Sequence, residues 1–286
     1  MQKLLERFLQ PFRDGGRFYR PLLLLYLLVN LLVLRNAVFH DPSIGYDALG
    51  YLEYMQAAAD GSLPTEAETE EYFSAPLAFV PGTLTYAALQ PFADSAALNP
   101  PNDEALVSSW LYYNFLYSLD DFPLAVAGKV SQLLNVVYSL AVTWLLLKIA
   151  QRLRPGDGQF RAGALFVLGM LPVYYKTFAM VRAEPLMLVF IMLGLYRLVR
   201  ALTSEQPLSV RWVVGLGVVA GLGMLTRQWF VSAALLLGLG LLTAAYQRRL
   251  AWAQALRLGA VFALVAAAIA LPFYLHLQRR AGWMAA

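Results

Sequence analysis

The chain has 286 residues, 59% hydrophobic and only 14% charged, with a formal net charge of +4 and no cysteine. A soluble domain carries about 25% charged and about 45–50% apolar residues, so this composition excludes an ordinary soluble globular protein. The missing cysteines exclude a disulfide framework and thiolate chemistry, and basic residues confined to short loops between apolar blocks call for a bilayer and for no nucleic acid.

Residues 2–12 alternate apolar and charged positions, which predicts a short helix on the cytoplasmic surface within an amphipathic segment 1–18. The lead holding Lys3, Arg7, Arg13, Arg17 and Arg20 is long for a signal peptide, and no small-residue cleavage site follows. The first apolar block, 19–39, therefore reads as an uncleaved span. Six further blocks, 125–147, 162–178, 185–201, 212–226, 229–246 and 258–275, are long enough to be read as spans. The expected fold is all-α and polytopic, with about seven transmembrane helices in a domain over 19–275 and an extracytoplasmic tail over 276–286, where the chain is expected to be cut.

Lys/Arg asymmetry sets the expected orientation. The N-terminus, the 148–161 loop (Lys148, Arg152, Arg154, Arg161), the 197–211 loop (Arg197, Arg200, Arg211) and the 247–257 loop (Arg248, Arg249, Arg257) share one side if each block spans once. That side reads as cytoplasmic. The opposite side receives the first loop 40–124, the 176–184 turn, the 227–228 turn and the C-terminus. A crossing at 77–92 would reverse all three later basic loops; with Pro81, Gly82 and Pro91 inside it, this stretch reads as an interfacial helix. The run Trp110, Tyr112, Tyr113, Phe115 and Tyr117 fits the same headgroup setting.

No Lys or Arg occurs from 36 to 128, whereas acids recur: Asp41, Asp47, Glu53, Asp60, Glu66, Glu68, Glu70, Glu71, Asp94, Asp103, Glu104, Asp120 and Asp121. A loop kept free of cations for translocation accounts for most of them. It does not account for Asp47, which on a helix shares a face with Gly50, Tyr51 and Tyr54. An acid on an aromatic face beside a span is either part of an ordinary interfacial helix or a general base in a sugar site. The same side receives three cations at span ends, Lys176, Arg182 and Arg227. They either pair with acids, as Arg182 with Glu184, or receive phosphate, whose oxygens a guanidinium fork matches. The glycines Gly215, Gly217, Gly221 and Gly223 predict close helix packing. His40 and His276 offer no metal-ligand spacing; the carboxylates are able to hold a divalent cation, but no spacing demands one.

Three stretches, Tyr46-Asp47-Ala48-Leu49-Gly50-Tyr51-Leu52-Glu53-Tyr54, Asp60-Gly61-Ser62-Leu63-Pro64 and Glu71-Tyr72-Phe73-Ser74-Ala75-Pro76-Leu77, resemble the first outer loop of GT-C superfamily glycosyltransferases. These polytopic enzymes use polyprenyl-phosphate sugars and include protein mannosyltransferase and aminoarabinose transferase relatives. Arg182-Ala183-Glu184-Pro185 resembles their turn between the third and fourth spans, and Gly221-Leu222-Gly223-Met224-Leu225-Thr226-Arg227-Gln228-Trp229 the turn between the fifth and sixth. The resemblance covers roughly 20–245. Gly50 stands where many relatives carry His, and Ala75 and Ala78 replace a Pro and a Tyr. Relatives usually have nine or more spans, which marks this chain as a fragment or a shortened member.

The resemblance implies a glycosyltransferase at the outer face of a bacterial inner membrane. Asp47 would be the base that deprotonates an acceptor on a glycan, lipid or protein. Arg227, Arg182 and Lys176 would bind the lipid phosphate of the polyprenyl-phosphate sugar. Glu71, Glu184, Glu53, Tyr51 and Tyr54 are candidates for positioning sugar or acceptor. The alternatives are a transporter or flippase of lipid-linked sugars, which would show broken polar spans, and a non-enzymatic assembly subunit.

Overall fold

The computed structural model describes residues 2–92, 122–204, 208–247 and 250–281. The acids Asp94, Asp103, Glu104, Asp120 and Asp121, the aromatic run 110–117, Arg248, Arg249 and residues 282–286 of the tail lie outside the described residues. Among the described residues the chain is helical and has no strand. Its α-helices are α1 (Gln2–Arg13), α2 (Tyr19–Phe39), α3 (Ala48–Ala57), α4 (Val80–Leu89), α5 (Phe122–Leu153), α6 (Gly158–Gly169), α7 (Pro172–Ala179), α8 (Glu184–Thr203), α9 (Val210–Met224), α10 (Phe230–Gln247) and α11 (Trp252–Ala281).

All seven apolar blocks are helical, but they are not equal. Five helical stretches, centred on α2, α5, α8, α10 and α11, are long and apolar enough to cross a bilayer, which makes the chain an integral membrane protein. α6 and α7 pass only as a bent pair, a sixth candidate, broken before Pro172. Proline lacks the amide proton that would continue α6 and restricts the residue before it. α9 has 15 residues, about 22 Å at 1.5 Å per residue, short of the roughly 30 Å hydrocarbon core. Among the described residues five or six helical stretches are therefore long and apolar enough to cross; seven spans were expected. α4, with 10 residues, reaches about 15 Å, half the length a crossing needs.

The helices fall in two compact units: unit 1 comprises Met1–Val29, Leu140–Leu171 and Leu186–Ala286, and unit 2 comprises Asn30–Ser139 and Pro172–Pro185. In unit 1, α1 forms where 2–12 predicted it, but its apolar face packs on the protein. Phe12 is fully buried with Leu22, Tyr26, Leu147 and Leu165, and Phe8 stacks parallel to Trp144 at 6.4 Å. The buried Arg161 donates to the carbonyls of Pro11 and Asp14 at the end of α1 and to that of Asp157. A helix leaves its last carbonyls unpaired, and a cation there satisfies them and the negative end of the helix dipole together. A second core joins α8, α9, α10 and α11 through Ala201, Leu216, Leu237, Leu241 and Phe262. The glycine spacing works as expected: a Cβ at Gly217 would lie 2.9 Å from the Phe262 carbonyl oxygen, and one at Gly221 would lie 3.0 Å from that of Ala266.

Unit 2 has its own core of Tyr51, Leu52, Tyr54, Met55, Phe79, Tyr86, Leu124, Ala127, Val181 and Ala183. Its other anchor is a polar face on α5. Lys129, Gln132, Asn135 and Ser139, at helical spacing on an apolar span, are all buried. Lys129 Nζ donates to the carbonyls of Ala37, Val38 and His40 at the end of α2, at 3.2, 3.1 and 2.5 Å. Three ammonium protons meet three carbonyls. Gln132 and Asn135 donate to the carbonyls of Ala179 and Met180 at 2.7 and 2.8 Å, closing the end of α7. Ser139 Oγ donates to Asn30 and lies 2.7 Å from the Tyr174 hydroxyl.

Candidate active site

Asp47 is the N-cap residue of α3, with φ 62 and ψ 5, and among the described residues it is the one non-glycine with positive φ. Asp tolerates this left-handed conformation better than most residues, at a cost of roughly 1–2 kcal/mol. An N-cap Asp ordinarily accepts a hydrogen bond from the first turn. Here the side chain makes no cap bond. The turn is built upstream: Asp41 Oδ1 accepts from the amide and hydroxyl of Ser43 at 2.8 and 2.7 Å, and the Ala48 amide reaches the Gly45 carbonyl at 3.2 Å. The result is a half-exposed carboxylate aimed by its backbone and not consumed by its helix.

The tyrosines expected on its face have another task. Tyr51 and Tyr54 are buried, their rings 4.9 and 5.1 Å from that of Phe79. Named from the sequence as candidates for positioning sugar or acceptor, both are turned by α3 into the unit 2 core. The Tyr54 hydroxyl is buried and has no hydrogen-bond partner among the described residues, and burial pushes its phenol up from the usual value of 10.0. The exposed aromatic beside Asp47 is Tyr46, at 78% exposure, which the sequence reading passed over. Glu53 is exposed.

Glu71 is 7% exposed and is held inside the loop. Ser74 Oγ donates to its carboxylate at 2.5 Å, and its own amide donates to Thr69 Oγ1 at 3.1 Å. The Thr69 hydroxyl reaches the Gly50 carbonyl at 2.8 Å. A Cβ on residue 50 would lie 2.9 Å from Glu71 Cγ, so the glycine permits the loop to seat against α3. Glu71 thus positions the loop on which its motif lies.

The 172–185 segment joins the same unit. Val181 and Ala183 enter the core beside Tyr51 and Tyr54, and a Cβ on Gly45 would lie 3.1 Å from the Met180 sulfur. Between those core residues, Arg182 forms a two-pronged pair with Glu184, Nε to Oε2 at 3.1 Å and Nη2 to Oε1 at 3.2 Å, with side chains 21% and 23% exposed. The pairing reading of Arg182 is therefore realised. Two guanidinium N–H groups are used out of five. Lys176 is exposed and lines a cavity of about 540 Å³ with Asn36, His40 and Tyr175, walled by Leu32 and Phe39.

Unit 2 thus holds Asp47, Glu53, Glu71, Lys176, Arg182 and Glu184, whereas Arg227 belongs to unit 1. Arg227 is half-buried in the turn between α9 and α10, where its carbonyl accepts from the Phe230 amide at 3.0 Å. The buried Thr226 hydroxyl donates to Gly223 at 2.6 Å, and the Tyr274 hydroxyl to Met224 at 2.8 Å. Among the described residues no group of three or more His, Asp or Glu side chains is arranged to hold a metal ion. Comparison with protein-family models, curated proteins and solved structures finds no match to the chain.

Proposed function

We propose that the protein is a GT-C type glycosyltransferase that moves a sugar from a polyprenyl phosphate to an acceptor on the extracytoplasmic face of a bacterial inner membrane. The observation that supports this most is Asp47. The chain accepts a left-handed backbone at a helix start and forgoes the cap bond that Asp would give there, and strain of that kind concentrates at working residues. In this reading Asp47 takes the proton from the acceptor hydroxyl or amine. The freed electron pair attacks the anomeric carbon from the face opposite the phosphate, and the carbon–oxygen bond to the lipid phosphate breaks with inversion. Negative charge then grows on the leaving phosphate, where Lys176 and the remaining N–H groups of Arg182 stabilise it. Glu71 and Glu184 position the loop and the Arg182 fork.

The test is sugar transfer from a labelled polyprenyl-phosphate sugar in membranes containing the chain. Asp47→Asn keeps the left-handed backbone accessible and removes the base, so transfer should fall by at least about a hundredfold while the protein still inserts. Transfer at the wild-type rate in Asp47→Asn would end the assignment. The broken α6–α7 pair, with the Tyr174 hydroxyl in a buried polar group, favours a second reading as a transporter of lipid-linked sugars. That reading expects the labelled lipid to change leaflet with no transfer to any acceptor.

A further inference from the structure

Unit 1 contains a cavity of about 670 Å³ with a different chemistry. Three helices supply cations to it: Arg7 from α1, Lys148 and Arg152 from α5, and Arg200 from α8. Asp14 is the one carboxylate in its lining, and Gln151 donates to it. None of the four cations forms an ion pair with a carboxylate among the described residues. Lys148 is 8% exposed; its ammonium donates to the neutral Gln10 side chain at 3.1 Å and lies 5.5 Å from the centre of the Trp144 ring.

Arg152 and Arg200 have an ordinary explanation, since each sits in the last turn of its helix and opposes the helix dipole. Arg7 comes from a third helix, and Lys148 is buried, so the dipoles of α5 and α8 account for neither. Lys148 bonds to a neutral side chain and is attracted by Asp14 without forming an ion pair with it; a buried ammonium so placed is costly, and an anion would complete its surroundings. α1 is fixed over this site and not merely near it: the Trp144 indole donates to the Phe8 carbonyl at 3.2 Å, and Arg161 holds the end of α1. The cavity is therefore preformed. It lies by the ends of two apolar helices, α5 at Leu153 and α8 at Thr203, the depth at which hydrocarbon gives way to headgroups.

We propose that this pocket binds the phosphate group of an anionic lipid headgroup. Guanidinium forks on Arg7, Arg152 and Arg200 match phosphate oxygens, the Lys148 ammonium supplies a point charge, and the Tyr196 hydroxyl is a neutral donor in the same lining. Basic pockets between transmembrane helices bind phospholipid headgroups by this chemistry.

The full-length chain, purified in neutral detergent, is mixed with phosphatidylglycerol, cardiolipin or phosphatidylcholine, and the lipid retained is counted by native mass spectrometry. The anionic lipids should be retained about tenfold over phosphatidylcholine. The exposed pair Arg7→Gln/Arg200→Gln should remove most of that preference, and the charge-matched pair Arg279→Gln/Arg280→Gln should leave it. Equal loss in both pairs would reduce the effect to bulk charge and overturn the site, as would retention unchanged in Arg7→Gln/Arg200→Gln. A parallel arm adds inorganic phosphate to delipidated protein. The lipid proposal expects no saturable rise in thermal midpoint, whereas a rise matching that given by phosphatidylglycerol would make the ligand a soluble phosphate and overturn the lipid assignment.

Discussion

In unit 2, Lys129 donates to three carbonyls at the end of α2; in unit 1, Arg161 donates to two at the end of α1. Beyond that shared device the units part. Unit 2 spends Arg182 on Glu184 and holds its acids close, Glu71 by Ser74 and Thr69. Unit 1 leaves Arg7, Lys148, Arg152 and Arg200 around one cavity with no carboxylate bonded to any of them among the described residues. Net charge at a membrane edge therefore says little about what a cation is for. What matters is whether the chain has supplied its partner, and helix ends serve as that partner as readily as carboxylates do.

Lys129→Met strips donors from three carbonyls and should destabilise unit 2 by about 3 kcal/mol or more; Arg161→Met should do the same to unit 1. Thermal unfolding in detergent measures both, and wild-type midpoints in both would show that the carbonyl ends need no cation. Next in size is Gly50→Ala, which forces the Cγ of the tethered Glu71 aside and should cost about 1–3 kcal/mol. A neutral result would mean that the 69–74 loop gives way without loss, and that Gly50 is not what seats it.

The smallest effect is Tyr54→Phe, which removes a buried hydroxyl that has no partner and should change stability by less than about 1 kcal/mol at neutral pH. Its signature is alkaline. Burial raises the folded phenol above 10.0, so the unfolded chain loses the proton first, and stability is whole below pH 10 and falls as pH climbs beyond it. Tyr54→Phe should flatten that fall; an identical alkaline decline in both proteins would assign it to another group.

Helix positions were legible because apolar blocks of 15 or more residues carry their own signal, and even the bent pair and α9 lie where the hydropathy put them. Span count was less legible, since 212–226 is a few residues shorter than the long apolar helices and 162–178 is bent at one proline. At the candidate site, the Arg182–Glu184 pair followed from adjacency. The burial of Tyr51 and Tyr54 did not: the face they share with Asp47 on a helical wheel says nothing about which side meets the core, and Asp47 leaves the helix geometry altogether. Lys129 was missed because its partners are backbone carbonyls, which have no sequence. Its one visible trace is the spacing it shares with Gln132, Asn135 and Ser139 inside an apolar block.

That polar face of α5 also imposes a timetable on synthesis. When α5 leaves the ribosome, α2 already exists, so Lys129 can find the carbonyls of Ala37, Val38 and His40, and Ser139 can find Asn30, at once. Gln132 and Asn135 cannot, because their acceptors at Ala179 and Met180 are made 47 and 45 residues later. A side-chain amide in hydrocarbon without a partner is costly. Until α7 arrives, α5 is therefore an unfinished membrane helix, held in place from one side only, and the short helix after Pro172 is what completes it.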